Sequence, residues 1–107
     1  MTIDIWLDDE RHPAAHGFPD ARWFTDGESL IEWLAANGMA GIGTMSLDHD
    51  LGSGRMTGYD VISWIEGAVA DGAAPPRRIA LHTQNPVGKE RMRAARAKIY
   101  QLAQERG

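Results

Sequence analysis

The chain contains no cysteine. That excludes a disulfide framework, a thiolate nucleophile and a cysteine zinc site. No apolar run approaches the roughly 18 residues that a membrane-spanning helix needs. The opening Met-Thr-Ile-Asp-Ile has neither a basic nor an apolar leader region, so a cytoplasmic protein without membrane association is expected. Aromatic residues are few, and no basic residues interleave with them. Trp6, Trp23, Trp33 and Trp64 are therefore expected to anchor a core or an interface, not to stack nucleic-acid bases. Positive charge is also in deficit: the net charge of -4 argues against wrapping long duplex DNA. What remains is 107 residues, 43% hydrophobic and 24% charged, the makings of one domain over 1–107 with one core.

The charge is unevenly spread. Residues 1–86 hold five basic and thirteen acidic side chains, and residues 87–107 hold six basic and two acidic. An acidic body thus carries a basic last helix, able to hold an anion or a short nucleic-acid end, while the body itself suits a cation.

Ile3, Ile5 and Leu7 alternate with Asp4 and Trp6, which predicts a strand ending at the acidic run Asp8-Asp9-Glu10. Residues 11–20, with Pro13, Gly17 and Pro19, read as a loop. A second strand is expected over 22–25. Thr25 and Glu28 then form a capping-box pattern before a helix that stops at Asn37-Gly38. Residues 44–48 predict a third strand, followed by a Gly-rich loop. Thr57 and Asp60 make a second capping box ahead of Val61, Ile62, Ile65 and Val69 at helical spacing. Ile79-Ala80-Leu81 predicts a fourth strand, and Asn85-Pro86 opens a last helix with Met92, Ala95, Ile99 and Leu102 facing inward. Strands alternating with helices imply an α/β fold with parallel pairing.

In such sheets ligands bind beyond the carboxyl ends of the strands. Asp8-Asp9, Asp48-His49-Asp50 and His82-Thr83-Asn85 each follow a different predicted strand and should meet. Clustered carboxylates cannot all stay ionised and unpaired, and a hard divalent cation is the natural remedy. The plainer alternative is solvated loop tips or helix caps. His49 and His82 suit proton transfer or metal ligation near neutral pH, or else simple packing. His12 and His16 are expected on the surface, in a loop that could close over the site. Thr83, Asn85 and Lys89 surround a helix N-terminus suited to phosphate, unless it is a capped helix that binds nothing. Arg11 either reaches a substrate phosphate or neutralises Asp9 or Glu10.

These residues resemble the receiver domain of response regulators: an acidic pair after strand one (Asp8, Asp9), an aspartate ending strand three (Asp48), Gly58 after the next loop, and Thr83 ending the following strand. Trp23-Phe24-Thr25-Asp26-Gly27-Glu28-Ser29-Leu30 resembles that family's second strand and helix. The resemblance implies a small, flavodoxin-like, three-layer domain with a mainly parallel four-stranded sheet. It also implies Asp8 and Asp9 as metal carboxylates, Asp48 as ligand or nucleophile, Asp50 near the metal through its backbone, and Thr83 on phosphate. The first crossover helix is replaced by the loop at 11–20, and a fifth strand with its lysine has no counterpart. Asp4 fits a sheet face that has lost its covering helix.

A closer resemblance is to the cyclic-phosphate-processing receiver domains. It is carried by Leu7-Asp8-Asp9-Glu10-Arg11 with Pro13, Ser46-Leu47-Asp48-His49-Asp50-Leu51-Gly52, Thr57-Gly58-Tyr59-Asp60, and His82-Thr83-Gln84-Asn85-Pro86-Val87-Gly88 with Arg91-Met92. It implies a phosphoesterase acting on a cyclic phosphate, at an RNA end or on a nucleotide-derived molecule. In that reading Asp8, Asp9, Asp48 and Asp50 hold Mg²⁺ or Mn²⁺. Asp48, His49 and His82 are catalytic candidates, and Arg11, Thr83, Asn85 and Lys89 bind phosphate. The alternatives are a non-enzymatic phosphoacceptor or protein-docking module, and a metal-dependent nuclease.

Overall fold

The computed structural model describes residues 2–52 and 56–105; the Gly-rich loop expected after Gly52 falls at 53–55, outside them. Alternating apolar residues build β1 (Ile3–Leu7), which pairs in parallel with β2 (Arg22–Phe24) on one side and β3 (Ile42–Leu47) on the other. β4 (Arg78–Leu81) completes the order β2-β1-β3-β4. The helices are α1 (Gly27–Asn37), α2 (Gly58–Ala70) and α3 (Pro86–Glu105). Among the described residues there are four strands and no fifth, and no helix is long and apolar enough to cross a membrane.

One sheet face carries the core. Ile5, Leu7, Met45, Leu47 and Ile79 meet Leu30 and Leu34 of α1, Val61 and Ile65 of α2, and Met92 and Ile99 of α3 in one buried cluster. At about 1.5–3 kcal/mol for each such side chain, this burial fastens the three helices to the sheet. Steps from β2 to β3 and from β3 to β4 run the same way across the sheet, so right-handed crossovers put α1 and α2 on one face. The step from β1 to β2 runs the other way. The opposite layer is therefore thin, made by the loop after β1 with its single 3-10 turn, Pro13–His16. Trp6, only 1% exposed, fills it, with Phe18 and His16 packed on its ring. His12 and His16 are exposed, as expected.

Three local expectations need correction. The N-cap of α1 is Asp26, not Thr25: Asp26 accepts from the Ser29 amide at 2.7 Å and from its hydroxyl at 3.0 Å. An aspartate one position later caps better than threonine, so the helix begins at Gly27. β3 begins at Ile42, two residues early, because Ile42 is buried and pairs with Ile3. It also ends at Leu47, which leaves Asp48 just past the strand. The pairing of β1 with β3 shifts by one residue between Ile3 and Ile5, and Asp4 repairs the gap: its Oδ1 accepts from the Thr44 amide at 2.9 Å. Asp4 is thus a hydrogen-bonding replacement within the sheet, beyond being tolerated on a thinly covered face. The Thr57–Asp60 capping box, the stop at Gly38 and the Asn85 cap of α3 form as expected.

Candidate metal centre

The strand ends are tied together by their backbones. The Asp8 amide donates to Phe24 O, the Asp48 amide to Leu7 O and the His82 amide to Leu47 O, at 3.0–3.1 Å each. These bonds carry the parallel ladder one residue past each strand and set Asp8, Asp48 and His82 side by side. Asp8, Asp9 and Asp48 each bring a carboxylate oxygen to within 4.8 Å of the others. They line a hollow of about 250 Å³ together with Arg11 and Asp50. Glu10, Gly52 and Gln84 complete its wall.

Asp8 is the best-held member. Its Oδ1 accepts from the Glu10 and Arg11 amides at 2.8 and 2.9 Å, while Oδ2 meets Arg11 Nη1 at 3.2 Å and His82 Nε2 at 3.0 Å. Burial alone would raise its pKa, but these donors outweigh it and hold the carboxyl below the ordinary value. Asp48 goes the other way: burial, then the neighbouring charge of Asp8, push its carboxyl up, against the His49 amide that donates to it at 2.9 Å and the lowering influence of the nearby Thr83 hydroxyl. Arg11 leans over both, 3.2 Å from Asp8 and 3.8 Å from Asp48. Of the two roles expected for Arg11, neutralising Asp9 or Glu10 is not what the fold shows, since its guanidinium bridges Asp8 and Asp48; contact with a substrate phosphate stays an expectation.

His82 is clamped. Its ring stacks on Trp6 with centroids 4.0 Å apart and planes at 4°, and Nδ1 lies 2.7 Å from Ser46 Oγ while Nε2 holds Asp8. Burial lowers its pKa, opposed by Asp8 and Asp48. His49 turns to α3 instead. Its Nδ1 meets Asp50 Oδ1 at 2.9 Å, and its ring lies where a Cβ on Gly88 would have to sit. Asp50, its carboxyl held low chiefly by His49, also receives Asn85 Nδ2 at 3.4 Å. Neither histidine lines the hollow, nor do Thr83, Asn85 or Lys89. Thr83 is buried behind Asp48, its hydroxyl accepting from the Asn85 amide at 3.1 Å, and Lys89 opens on a different groove beside β4.

Two glycines make the geometry possible. A Cβ on Gly58 would run into the Asp48 carbonyl, against which the start of α2 is docked by the Gly58 amide on His49 O at 2.9 Å. Gly52 has φ +59°, and a Cβ there would run into the Asp9 carboxylate. Sequence reasoning missed Ser46 and Trp6 as the supports of His82. The period-two pattern carried the signal, since both lie on the sheet face opposite the core.

Asp8, Asp9 and Asp48, at adjacent strand ends beside the buried Thr83 hydroxyl, are a donor set that could hold a metal ion, as in receiver domains. A scan against protein families matches residues 3–98 to the cyclic-phosphate processing receiver domain. The chain belongs to that family. No curated protein and no solved structure matches it. This receiver domain keeps the acidic triad of its fold, and the covering layer where the first crossover helix would lie is the short loop that delivers Arg11.

Proposed function

We propose that this receiver domain is a metal-dependent phosphoesterase that opens a cyclic phosphate of a nucleotide or RNA end. The observation that carries the reading is the convergence of Asp8, Asp9 and Asp48 in an open hollow. A divalent cation bound there supplies Lewis-acid polarisation of a phosphoryl oxygen and a more acidic water. The chain's own residues do the rest. Asp8, fixed by two amides and His82, stays ionised as the anchoring carboxylate. Arg11, which leans over Asp8 and Asp48, would offer its guanidinium to the phosphoryl oxygens when those carboxylates hold a cation. Water adds to phosphorus, one ester P–O bond breaks, and the leaving alkoxide takes a proton to give a phosphate monoester.

For that proton we assign different roles to the two histidines. Both nitrogens of His82 are engaged, so it positions Asp8. His49 lies behind the lining, but its Nδ1 meets Asp50, which does line the hollow, so the Asp50–His49 pair is the one assigned to pass a proton. Incubation with a 2′,3′-cyclic nucleotide and Mg²⁺ or Mn²⁺, followed by chromatography of the monophosphate, tests the reading. Turnover abolished in Asp48→Asn is expected; no turnover of any cyclic phosphate at metal saturation refutes it.

The Thr83 hydroxyl, buried beside Asp48, favours one second reading, a phosphoacceptor module in which Asp48 carries the phosphoryl group. Acetyl phosphate treatment and intact mass decide it: one added phosphoryl group in the wild type and none in Asp48→Asn would favour that role.

A further inference from the structure

Away from the acidic hollow the charge reverses. Residues 1–76 hold three basic and thirteen acidic side chains, and residues 77–107 hold eight basic and two acidic. The fold gathers five of those eight cations along the open edge of β4 and the adjoining side of α3. Arg77, Arg78, Arg93 and Arg96 line a groove of about 510 Å³ with Tyr100, and Arg78, Arg93 and Arg96 continue with Lys89 into a second of about 250 Å³. Among the described residues, Arg77, Arg78, Lys89 and Arg96 have no carboxylate within 4.0 Å, and Arg93 has only Glu90 at 3.5 Å. A chain with an excess of acids has left this cluster unneutralised.

We infer that this basic edge holds the phosphodiester backbone of a single-stranded RNA whose terminus enters the acidic hollow. Two observations select a polyphosphate over a peptide added as a fifth strand. The Ile79 carbonyl, which points off the free edge, is already taken by Arg96 Nη1 at 3.2 Å. Arginines flanking an edge also discourage strand pairing, whereas their planar forks fit phosphate oxygens. Position supplies the link to the centre. Lys89 stands one helical turn after Asn85, which reaches Asp50 on the wall of the hollow, and β4 itself runs into His82 and Thr83. The four residues of β4 span about 13 Å, enough for a few phosphates and far too short for a long duplex. RNA is chosen because a five-membered cyclic phosphate at a strand end requires a vicinal 2′-hydroxyl. In that respect the inference rests on the proposed function, although its test reads binding alone.

The test is fluorescence anisotropy of a 5′-labelled uridine decamer ending in a 3′-phosphate, titrated with the full chain. Arg78→Glu with Arg93→Glu should weaken binding at least 10-fold, and Arg77→Ala with Arg78→Ala should weaken it several-fold with the thermal midpoint unchanged. Neutralising three phosphates gives a log–log salt slope of about -2, so affinity should fall about 16-fold between 50 and 200 mM salt. No measurable binding, binding unchanged in both variants, or equally tight binding of an oligoglutamate peptide overturns the inference. Binding that responds as expected without turnover of cyclic nucleotides would refute the proposed activity and leave this surface standing. Turnover of cyclic mononucleotides without oligonucleotide binding would do the reverse.

Discussion

Replacing Asp48 with Asn should stabilise the metal-free protein and abolish its response to divalent cations. Asp8, Asp9 and Asp48 have carboxylate oxygens within 4.8 Å of one another; at that separation and an effective dielectric of about 20, each ionised pair costs roughly 3.5 kcal/mol. Asp48 takes part in two such pairs. Arg11, 3.8 Å away, returns roughly 4 kcal/mol before solvent screening reduces it. The difference, about 3 kcal/mol against ionised Asp48, falls to about 2 kcal/mol once solvent screens the two repulsions as well, and Asn removes it while its side-chain oxygen still accepts from the His49 amide. For a domain of this size that is roughly 8 °C in Tm.

The pH dependence has a definite sign. Asp48 is raised above 3.8 in the fold, chiefly by burial and then by Asp8, so its contribution is fully present below pH 3.8 and is lost as pH rises through its folded value. Asp8 is lowered, so its contribution is present above pH 3.8 and lost as pH falls through its folded value. The advantage of Asp48→Asn should therefore vanish near pH 4 and grow toward neutrality. Metal reverses the order: at 100 times its Kd a cation stabilises the wild type by about 2.7 kcal/mol, and the variant should gain little. Thermal melts in chelator and in excess Mg²⁺ measure both effects. A variant no more stable than wild type in chelator at pH 7, or one still stabilised by Mg²⁺, would refute the reasoning.

Other perturbations probe the supports. His82→Phe keeps a ring on Trp6 but removes the bonds to Asp8 and Ser46, so calorimetric titration should show Mg²⁺ affinity 10- to 100-fold weaker, roughly the cost of losing an outer support; unaltered affinity would show that Asp8 needs no such clamp. Arg11→Ala should leave Mg²⁺ affinity equal or tighter, because the guanidinium competes for Asp8 Oδ2, and should weaken inorganic phosphate binding to the Mg²⁺ form by about 10-fold. Loss of metal affinity in that variant would contradict this. Gly58→Ala forces a methyl group onto the Asp48 carbonyl and should cost about 3 kcal/mol in urea denaturation; a loss below about 1 kcal/mol would mean that α2 shifts freely.

The elements were largely legible because their signals are local. Alternation at Ile3, Ile5 and Leu7, the Thr57–Asp60 box and the Asn85-Pro86 start each depend on a few neighbouring residues. The N-cap expected at Thr25 but found at Asp26, and the early start of β3, arose where two local signals competed and packing chose between them. Asp4 was readable only as an anomaly. Its purpose depends on a one-residue shift against a strand some forty positions away.

The order of residues alone determined that two acidic segments and a third carrying His82 and Thr83 would follow three parallel strands, since hydrophobic period and capping chemistry are properties of short stretches. Which groups in those segments face one another was decided by the tertiary structure. Side chains at a strand end point according to where pairing stops, and β3 stopping at Leu47 sends Asp48 into the hollow and His49 toward Gly88. Arg11 on Asp8 and His82 flat on Trp6 likewise depend on contacts between the strand ends and the covering loop, a distance in space that periodicity along the chain does not encode.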